Sequence, residues 1–236
     1  PAAPRRTPAV PRVPAPTNTR TGRGKEGGGR ARPVAKTAAA APATAILDAT
    51  VSPGAGTYGV GQPVIVRFDK KVKSAAARAA VLTRLQVVSV PAQPGAWRWY
   101  NSFEVHYRGP AYWKAGTKIS TTASLAGLQV PGTDYWGDTA PVAKSFSIGR
   151  AFVATVDITA HVMRVTVDGK LVRTVKVSTG RDMYPTKGGV HIVLTREREH
   201  LYNSATVGIP TAGPDGYHEK LPYSDRISNG GAFVHA

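Results

Sequence analysis

From Ile46 onward, apolar and polar residues alternate in short runs separated by glycine and proline. This alternation is typical of β-strands, because every second side chain of a strand points to the same face. Val64, Val66 and Phe68 are therefore predicted to face one common core. Repeated short strands of this kind predict a mainly β protein, with a β-sandwich over residues 45–148.

Two tight turns are predicted within this pattern. The runs 96–100 and 103–107 both alternate, so the step Asn101–Ser102 between them is predicted to be a hairpin turn. Asp168–Gly169 separates two further alternating runs, and Asp-Gly is a strong hairpin signal because both residues tolerate positive φ. The apolar run 188–194 predicts another strand.

One segment departs from the β pattern. Ser74 precedes an alanine-rich run that ends at Leu82. Alanine has the highest helix propensity, and serine is a preferred N-cap, so a short helix is predicted here.

The aromatic residues of the predicted sandwich allow two interpretations. Trp97, Trp99, Tyr100 and Trp113 could form a platform for a sugar ring. Alternation places Trp97 and Trp99 on the face directed toward the core, which favours a packing role. We therefore predict that they belong to the core and its rim.

Residues 1–44 have a different composition. They contain nine Lys and Arg residues against one Glu, so nearly half of the formal net charge of +17 lies in this segment. The segment is rich in Ala, Pro and Gly and has almost no large apolar residues, which predicts a disordered tail. It could serve as a spacer from a membrane, attract anionic wall polymers or have no partner at all.

Specific nucleic-acid binding is not indicated. The sequence has no zinc finger, no RNP-like aromatic motif and no basic helix interleaved with aromatic residues. No run of about 18 apolar residues is present to cross a membrane. A membrane tether, if one exists, is expected outside these residues.

Residues 195–228 show no sustained alternation and contain several glycines and prolines. A long segment of this kind between strands is typically either a functional lid or disordered.

The chain resembles the L,D-transpeptidases of the actinobacterial cell wall. The resemblance covers about residues 45–236, in the order of the family, and the family's flap selects the lid interpretation for residues 195–228. The similar segments are Gly59–Phe68 and Ala96–Tyr100 in the part that resembles an Ig-like domain, and Val156–Asp157, His161–Gly169, Val177–Gly180, Thr206–Pro210, Gly213–Tyr217 and Ile227–His235 in the part that resembles the catalytic domain.

The resemblance implies three parts. A disordered tail over residues 1–44 precedes an Ig-like β-sandwich over 45–148, and a partial catalytic domain of the YkuD type follows over 149–236, with its lid at 195–228. The implied protein acts outside the cytoplasm, in the cell wall or periplasmic space. Its implied partners are peptidoglycan stem peptides, with carbapenem β-lactams as inhibitors.

The implied reaction requires a nucleophilic thiolate that attacks a stem peptide and forms an acyl-enzyme. The 236 residues contain no cysteine. In the family, a Ser-His-Gly-Cys motif follows the Phe-Val-His segment after a loop. We therefore expect the sequence to be an inactive part of a longer chain whose cysteine follows Ala236.

Four residues match the family's site. His235 is the predicted catalytic residue, in contact with substrate or thiolate, with its exact role open because the family has a second histidine beside the cysteine. Tyr217, Ser228 and Asn229 are predicted to bind substrate. Each also has a plain structural interpretation: a surface histidine, a packed tyrosine and polar residues that cap a turn.

Three positions depart from the family pattern, which puts the shape of the donor pocket in doubt. Val207 stands where many relatives have tyrosine, and Tyr202 where they tend to have methionine. Ala236 stands where serine is frequent.

Other mechanisms lack their motifs. Glu197-Arg-Glu-His200 is not a His-Glu-x-x-His zinc motif, and no serine-hydrolase or phosphate-loop motif is present, so no cofactor or metal is predicted. Two alternatives to the enzyme remain. One is a non-catalytic peptidoglycan-binding protein, and the other is polyanion binding by the basic tail.

Overall fold

The computed structural model describes residues 45–181 and 184–236. The predicted tail over residues 1–44 lies outside the described residues. The first half of the described chain contains ten strands and one helix: β1 (Ala45–Leu47), β2 (Ala49–Ser52), β3 (Thr57–Tyr58), β4 (Val64–Phe68), α1 (Ala75–Leu82), β5 (Leu85–Val90), β6 (Ala96–Trp99), β7 (Glu104–Arg108), β8 (Lys118–Ala123), β9 (Tyr135–Gly137) and β10 (Val142–Ile148).

These strands form the two layers of a sandwich. One four-stranded sheet has the order β2-β4-β7-β6 and is antiparallel throughout. The other has the order β3-β10-β8-β5, with β3 parallel to β10. Strands β1 and β9 form a separate parallel pair. The predicted β-sandwich is confirmed.

The core lies between the two sheets. Val64, Val66 and Phe68 of β4 are all buried, as their alternation predicts. Ile119 of β8 and Ile148 of β10 are buried in the same cluster from the second sheet. Burial of such side chains is the main favourable term in folding, at about 1.5–3 kcal/mol for each large aliphatic residue.

Helix α1 forms where the sequence predicts it. The hydroxyl of Ser74 accepts a hydrogen bond from the backbone N–H of Ala77 at 3.1 Å, which satisfies one of the free donors of the first turn. Ala77 and Val81, one turn apart, are buried against the sandwich.

The aromatic residues pack as predicted. Trp113 is buried, and its indole N–H donates to the carbonyl oxygen of Gln62 at 2.8 Å. Trp97 and Trp99 are half-buried against the core, and Trp99 stacks on Phe68 with ring centroids 5.6 Å apart. The predicted packing role is confirmed for the tryptophans, whereas Tyr100 is largely exposed.

The second half consists of strands grouped in three small sheets. Their bounds are β11 (Phe152–Asp157), β12 (Val162–Val167), β13 (Lys170–Lys176), β14 (Gly180–Arg181), β15 (Tyr184–Pro185), β16 (Thr195–Asn203), β17 (His218–Arg226) and β18 (Phe233–Val234), with a 3-10 helix at Ser204–Val207. The sheet orders are β11-β12-β13, β14-β15 and β16-β17-β18, all antiparallel.

Asp168 and Gly169 connect β12 to β13 as predicted. Their φ angles are 51° and 80°, the left-handed values that a two-residue hairpin turn requires at both central positions. The other predicted turn, between β6 and β7, is also confirmed, because Tyr100 N–H and Asn101 N–H both donate to the carbonyl oxygen of Glu104.

The predicted strand over residues 188–194 is wrong. The segment is irregular, with φ at +129° for Gly189. His191 contacts the carbonyl oxygens of Ile227 and Lys187 at 3.2 and 3.0 Å through its two ring nitrogens, and only Leu194 reaches the neighbouring strand, through its N–H to the carbonyl of Arg226. Apolar alternation alone could not show that the backbone would lack a strand partner here.

The predicted irregular excursion over residues 195–228 is also corrected. Strands β16 and β17 are each nine residues long and pair along their length, so that the connection covers only residues 204–217. The role of this hairpin as a lid stays a prediction.

Packing differs between the two halves. Among the described residues, every buried apolar side chain lies between Leu47 and Ile148 except Val165. In the second half, Leu171 and Val172 on β13 are 59% and 58% exposed.

Candidate active site around His235

His235 directly follows β18, which pairs with β17 through Asp225–Val234 and Arg226–Phe233. Alternation places Phe233 and His235 on one face of the strand, yet the imidazole is exposed. Strand β18 is an edge strand of only two residues, so few neighbouring side chains lie over the ring of His235. The Nδ1 atom lies 3.1 Å from the carbonyl oxygen of Ala236.

An aromatic cluster lies beside the imidazole, on the same face of the β16-β17-β18 sheet. The ring of Tyr202 on β16 has its centroid 5.1 Å from that of His235 and 5.0 Å from that of Phe233. His200 packs edge-on to Tyr202 at 4.9 Å and lies 4.6 Å from Phe233. The guanidinium of Arg226 lies 4.5 Å from the Phe233 ring centroid, a distance typical of a cation–π contact.

The phenol of Tyr202 is held by a directed hydrogen-bond chain. Its O–H donates to the Oγ of Ser224 at 3.0 Å, and that hydroxyl donates to the carbonyl oxygen of Leu221 at 3.3 Å. The side chain of Ser224 is fully buried. Burial raises the pKa of Tyr202 above its usual value, so the phenol stays neutral and keeps its proton at physiological pH.

A histidine–carboxylate pair lies on the far side of Tyr202. The Nδ1 of His200 is 2.6 Å from Oε2 of Glu197. This hydrogen bond holds the pKa of Glu197 below its usual value. Glu197 is therefore ionised at neutral pH and fixes the orientation of the His200 ring.

Tyr217, a predicted substrate-binding residue, lies just before β17. Its backbone is tied to buried Ser204, whose N–H donates to the Tyr217 carbonyl at 3.0 Å and whose Oγ accepts from the Tyr217 N–H at 3.1 Å. The phenol of Tyr217 has no hydrogen bond to any of the described residues. Its role in binding stays a prediction.

The two other predicted substrate-binding residues lie in the turn between β17 and β18. The Oγ of Ser228 accepts from the N–H of Ala232 at 3.0 Å, and Ile227 N–H donates to the Ala232 carbonyl at 2.9 Å. Ser228 therefore closes the turn that leads into β18. Asn229 is exposed at its tip. Substrate contact by either residue stays a prediction.

Two family models match the chain. A bacterial Ig domain matches residues 13–129, and an L,D-transpeptidase catalytic domain matches residues 151–236. L,D-transpeptidase 1 of Mycobacterium tuberculosis is 30% identical over 189 residues, which cover 80% of this chain and 68% of that protein. The chain belongs to the L,D-transpeptidase family.

Other relatives show the same family. L,D-transpeptidase 2 of Mycobacterium tuberculosis is 34% identical over 187 residues, which are 79% of this chain but 45% of that protein. The chain thus spans less than half the length of this relative. A solved structure of the LD transpeptidase LdtMt1 in complex with imipenem has a TM-score of 0.63, with 28% identity over 79% of this chain and 78% of that one.

A further solved structure is L,D-transpeptidase 3 from Mycobacterium tuberculosis in complex with a faropenem-derived adduct, with a TM-score of 0.60 and 29% identity over 79% of each chain. Because the matched residues run through both halves, the order of an Ig-like sandwich followed by a transpeptidase domain is shared with these proteins.

The sequence did not identify Glu197, His200 and Ser224 as neighbours of the site. The more enclosed positions are Glu197, His200, Tyr202 and Asn203 on β16, and Leu221, Ser224, Asp225 and Arg226 on β17. The spacing of three from 197 to 200 and from 221 to 224 interrupts strict alternation in both strands. The only available signal was the acid–histidine spacing itself, which fits no metal motif.

A crevice of about 520 Å³ lies elsewhere in the chain and is lined by Arg150, Phe152, Val167, Arg196 and Asp225. Both of its arginines already pair with carboxylates, because Arg150 lies 3.2 Å from Asp168 and Arg196 lies 3.6 Å from Asp225. None of the aromatic residues around His235 lines it, so we assign the candidate site to His235 and its cluster.

Within residues 45–181 and 184–236, no group of three or more His, Asp or Glu side chains is arranged to hold a metal ion. Over the same residues, no helix has the length and apolar character required to cross a membrane.

Proposed function

We propose that the protein to which these residues belong is a peptidoglycan L,D-transpeptidase that cross-links stem peptides through a cysteine acyl-enzyme. The observation that carries the proposal is the presentation of His235 at a strand end in a domain that the family's catalytic model matches. An exposed imidazole beside an ordered aromatic wall can exchange protons with a bound peptide and its leaving amine.

The chemistry assigns His235 a role that needs a thiolate partner. A thiolate attacks the amide carbonyl of the donor peptide, the bond to the leaving amine breaks, and that amine takes up a proton. The acceptor amine then attacks the thioester, a new amide bond forms as the C–S bond breaks, the amine gives up the proton that balances the first step, and the thiolate is released. The 236 residues contain no cysteine, so they cannot form the thioester by themselves.

Carbapenems are the proposed inhibitors. The related LdtMt1 is solved in complex with imipenem, and the related L,D-transpeptidase 3 with a faropenem-derived adduct. A strained β-lactam carbonyl is an acyl donor of the same kind as the donor peptide, so the proposed thiolate would open it and retain the acyl group.

Intact-mass spectrometry with imipenem tests the proposal. We expect the full product of the gene to gain one covalent adduct on a cysteine, and its His235→Gln variant to react about 100-fold more slowly, as for the loss of a proton-transfer group. The 236-residue chain is the matched control and should gain no adduct. A full gene product that stays unmodified at saturating imipenem would overturn the proposal.

The proposed substrate places the protein outside the cytoplasm, in the cell wall or periplasmic space. A basic segment such as residues 1–44 would hold it near anionic wall polymers by long-range attraction. Digestion of intact cells with an added protease tests this, since a protein protected until the membrane is permeabilised would contradict the location.

Non-catalytic binding to peptidoglycan is the second candidate, favoured by the well-packed sandwich of residues 45–148. If it is correct, the 236-residue chain should sediment with purified sacculi at physiological salt. Recovery of the whole chain in the supernatant would exclude this function while leaving the transpeptidase proposal intact.

A further inference from the structure

The geometry points to Tyr202 as the positioning residue of His235, and to buried Ser224 as the residue that fixes Tyr202. This inference rests on the proposed function of His235 for its catalytic meaning. Its structural content, that one side chain sets the orientation of another, stands on the contacts of the described residues alone.

The first observation is how little else holds the imidazole. His235 is exposed, and its recorded hydrogen-bond contact goes to the carbonyl oxygen of its own neighbour, Ala236. Among the described residues, the only aromatic ring in contact with it is that of Tyr202, at 5.1 Å and an interplanar angle of 58°. An exposed histidine would otherwise sample several rotamers.

The second observation is that Tyr202 is itself fixed at both ends. Its ring packs edge-on to His200 and Phe233, at interplanar angles of 87° and 65°, the geometry that the aromatic quadrupole favours. Its hydroxyl donates to Ser224, which in turn donates to the Leu221 carbonyl, so both hydroxyl protons are assigned. A ring held in this way can transmit a fixed orientation to its neighbour.

The third observation is the path across the sheet. Tyr202 lies on β16 and His235 follows β18, with β17 between them. Two strand spacings amount to about 9.5 Å, so only a long side chain can bridge the distance. Ser224 on the middle strand accepts a hydrogen bond from the phenol at 3.0 Å, which fixes the outer end of that side chain.

The contact between Tyr202 and His235 therefore has a consequence for the reaction. The ring of Tyr202 lies beside the imidazole at an interplanar angle of 58°, and its hydroxyl group holds that ring in place. Since a reacting group must be held close to its productive geometry, a loosened Tyr202 would reduce the fraction of chains in which His235 points at the bound peptide.

Nuclear magnetic resonance of the 236-residue chain tests the inference without any turnover. The Hε1 resonance of His235, assigned by its loss in His235→Gln, reports the ring current of a neighbouring aromatic group. We expect Tyr202→Leu to move this resonance toward its random-coil position. Tyr202→Phe and Ser224→Ala should each move it in part and by similar amounts, because each breaks the same hydrogen bond.

Leu201→Ala is the matched control. Leu201 is the adjacent residue on β16 and is exposed, so its truncation should leave the His235 resonance unchanged. Unchanged backbone resonances along β16 and β17, away from the substituted residue, would show that the second half of each variant folds. The inference is overturned if Tyr202→Leu shifts the His235 resonance no more than Leu201→Ala does, or if Tyr202→Phe and Ser224→Ala both leave it in place.

A second readout connects the geometry to the reaction. In the full gene product, Tyr202→Phe should lower the rate of imipenem acylation several-fold, with a smaller loss than His235→Gln. If no form of the protein reacts with imipenem but the resonance shifts follow the expected order, the proposed function fails and the positioning of His235 by Tyr202 holds.

Discussion

Glu104 is a buried charged residue of the sandwich. Its side chain is 10% exposed, with Oε2 2.8 Å from Nε of Arg67 and Oε1 2.5 Å from Nε2 of His106. Burial alone would raise the pKa of Glu104, but the hydrogen bonds from His106 and Arg67 outweigh it and hold the pKa below the usual 4.5.

Glu104→Gln should therefore lower the free energy of unfolding by about 1–2 kcal/mol at pH 7, because a hydrogen-bonded charge is replaced by a neutral amide. A carboxylate with a lowered pKa stabilises the fold above its unfolded-state pKa, and this contribution is lost as pH falls through the folded-state value. Urea unfolding should show the difference between wild type and variant shrinking below about pH 4.5.

The matched control is Glu199→Gln, which removes an exposed ion pair with Lys220 at 3.0 Å. Its effect should stay within about 0.5 kcal/mol at any pH. A Glu104→Gln variant as stable as this control would show that the Arg67–Glu104–His106 cluster adds nothing to stability.

Helix α1 depends on its first turn. Ser74→Ala removes the acceptor for Ala77 N–H and should lower the free energy of unfolding by about 1 kcal/mol, the usual cost of losing an N-cap. Thermal unfolding followed by circular dichroism measures the change. Lys73→Ala, at the exposed residue just before the cap, should be neutral, and an equal loss in both variants would contradict the capping role.

The sandwich strands and the turn between β12 and β13 could be predicted because one local rule, alternation or turn chemistry, describes each of them. Val64, Val66 and Phe68 alternate with residues that face away from the core, and Asp168–Gly169 tolerates the positive φ of its turn. Local chemistry and the final environment agree at each of these positions.

Strands β16 and β17 could not be predicted by the same rule. The more enclosed residues jump from Glu197 to His200 and from Leu221 to Ser224, so a period of two finds no match. Two of the partners that hold Tyr202, Ser224 on β17 and Phe233 on β18, come from other strands, which a single-sequence pattern does not reveal. The candidate site was therefore predictable at His235 but not in the groups that orient it.

At the scale of the whole molecule, apolar burial is concentrated in the first half of the described chain. Val66→Ala, at a fully buried residue, should lower the free energy of unfolding by roughly 2 kcal/mol through lost burial and a cavity. Val172→Ala, at a residue 58% exposed, should change it by less than about 0.5 kcal/mol. Equal losses in urea unfolding would contradict this distribution.

The same distribution predicts the order of proteolysis. Within residues 45–236, we expect thermolysin to cut first between residues 149 and 236, where apolar side chains are accessible and few are buried. Mass spectrometry should then detect a persistent fragment close to residues 45–148. Cleavage at similar rates in both halves would show that the second half is as stable as the sandwich.

One backbone angle decides what surrounds the imidazole. Tyr223 has φ at +52°, and the ladder between β16 and β17 lacks a pair at Arg198–Tyr223 while the register on both sides of it is unchanged. Tyr202 pairs with Glu219, and Ser224 lies five positions further along β17. Because successive side chains of a strand point to opposite faces, an uninterrupted ladder of this register would place Tyr202 and Ser224 on opposite sides of the hairpin. The positive φ at Tyr223 accompanies the break that lets the two hydroxyls meet, so the backbone of a residue that contacts neither ring contributes to the position of the phenol beside the imidazole.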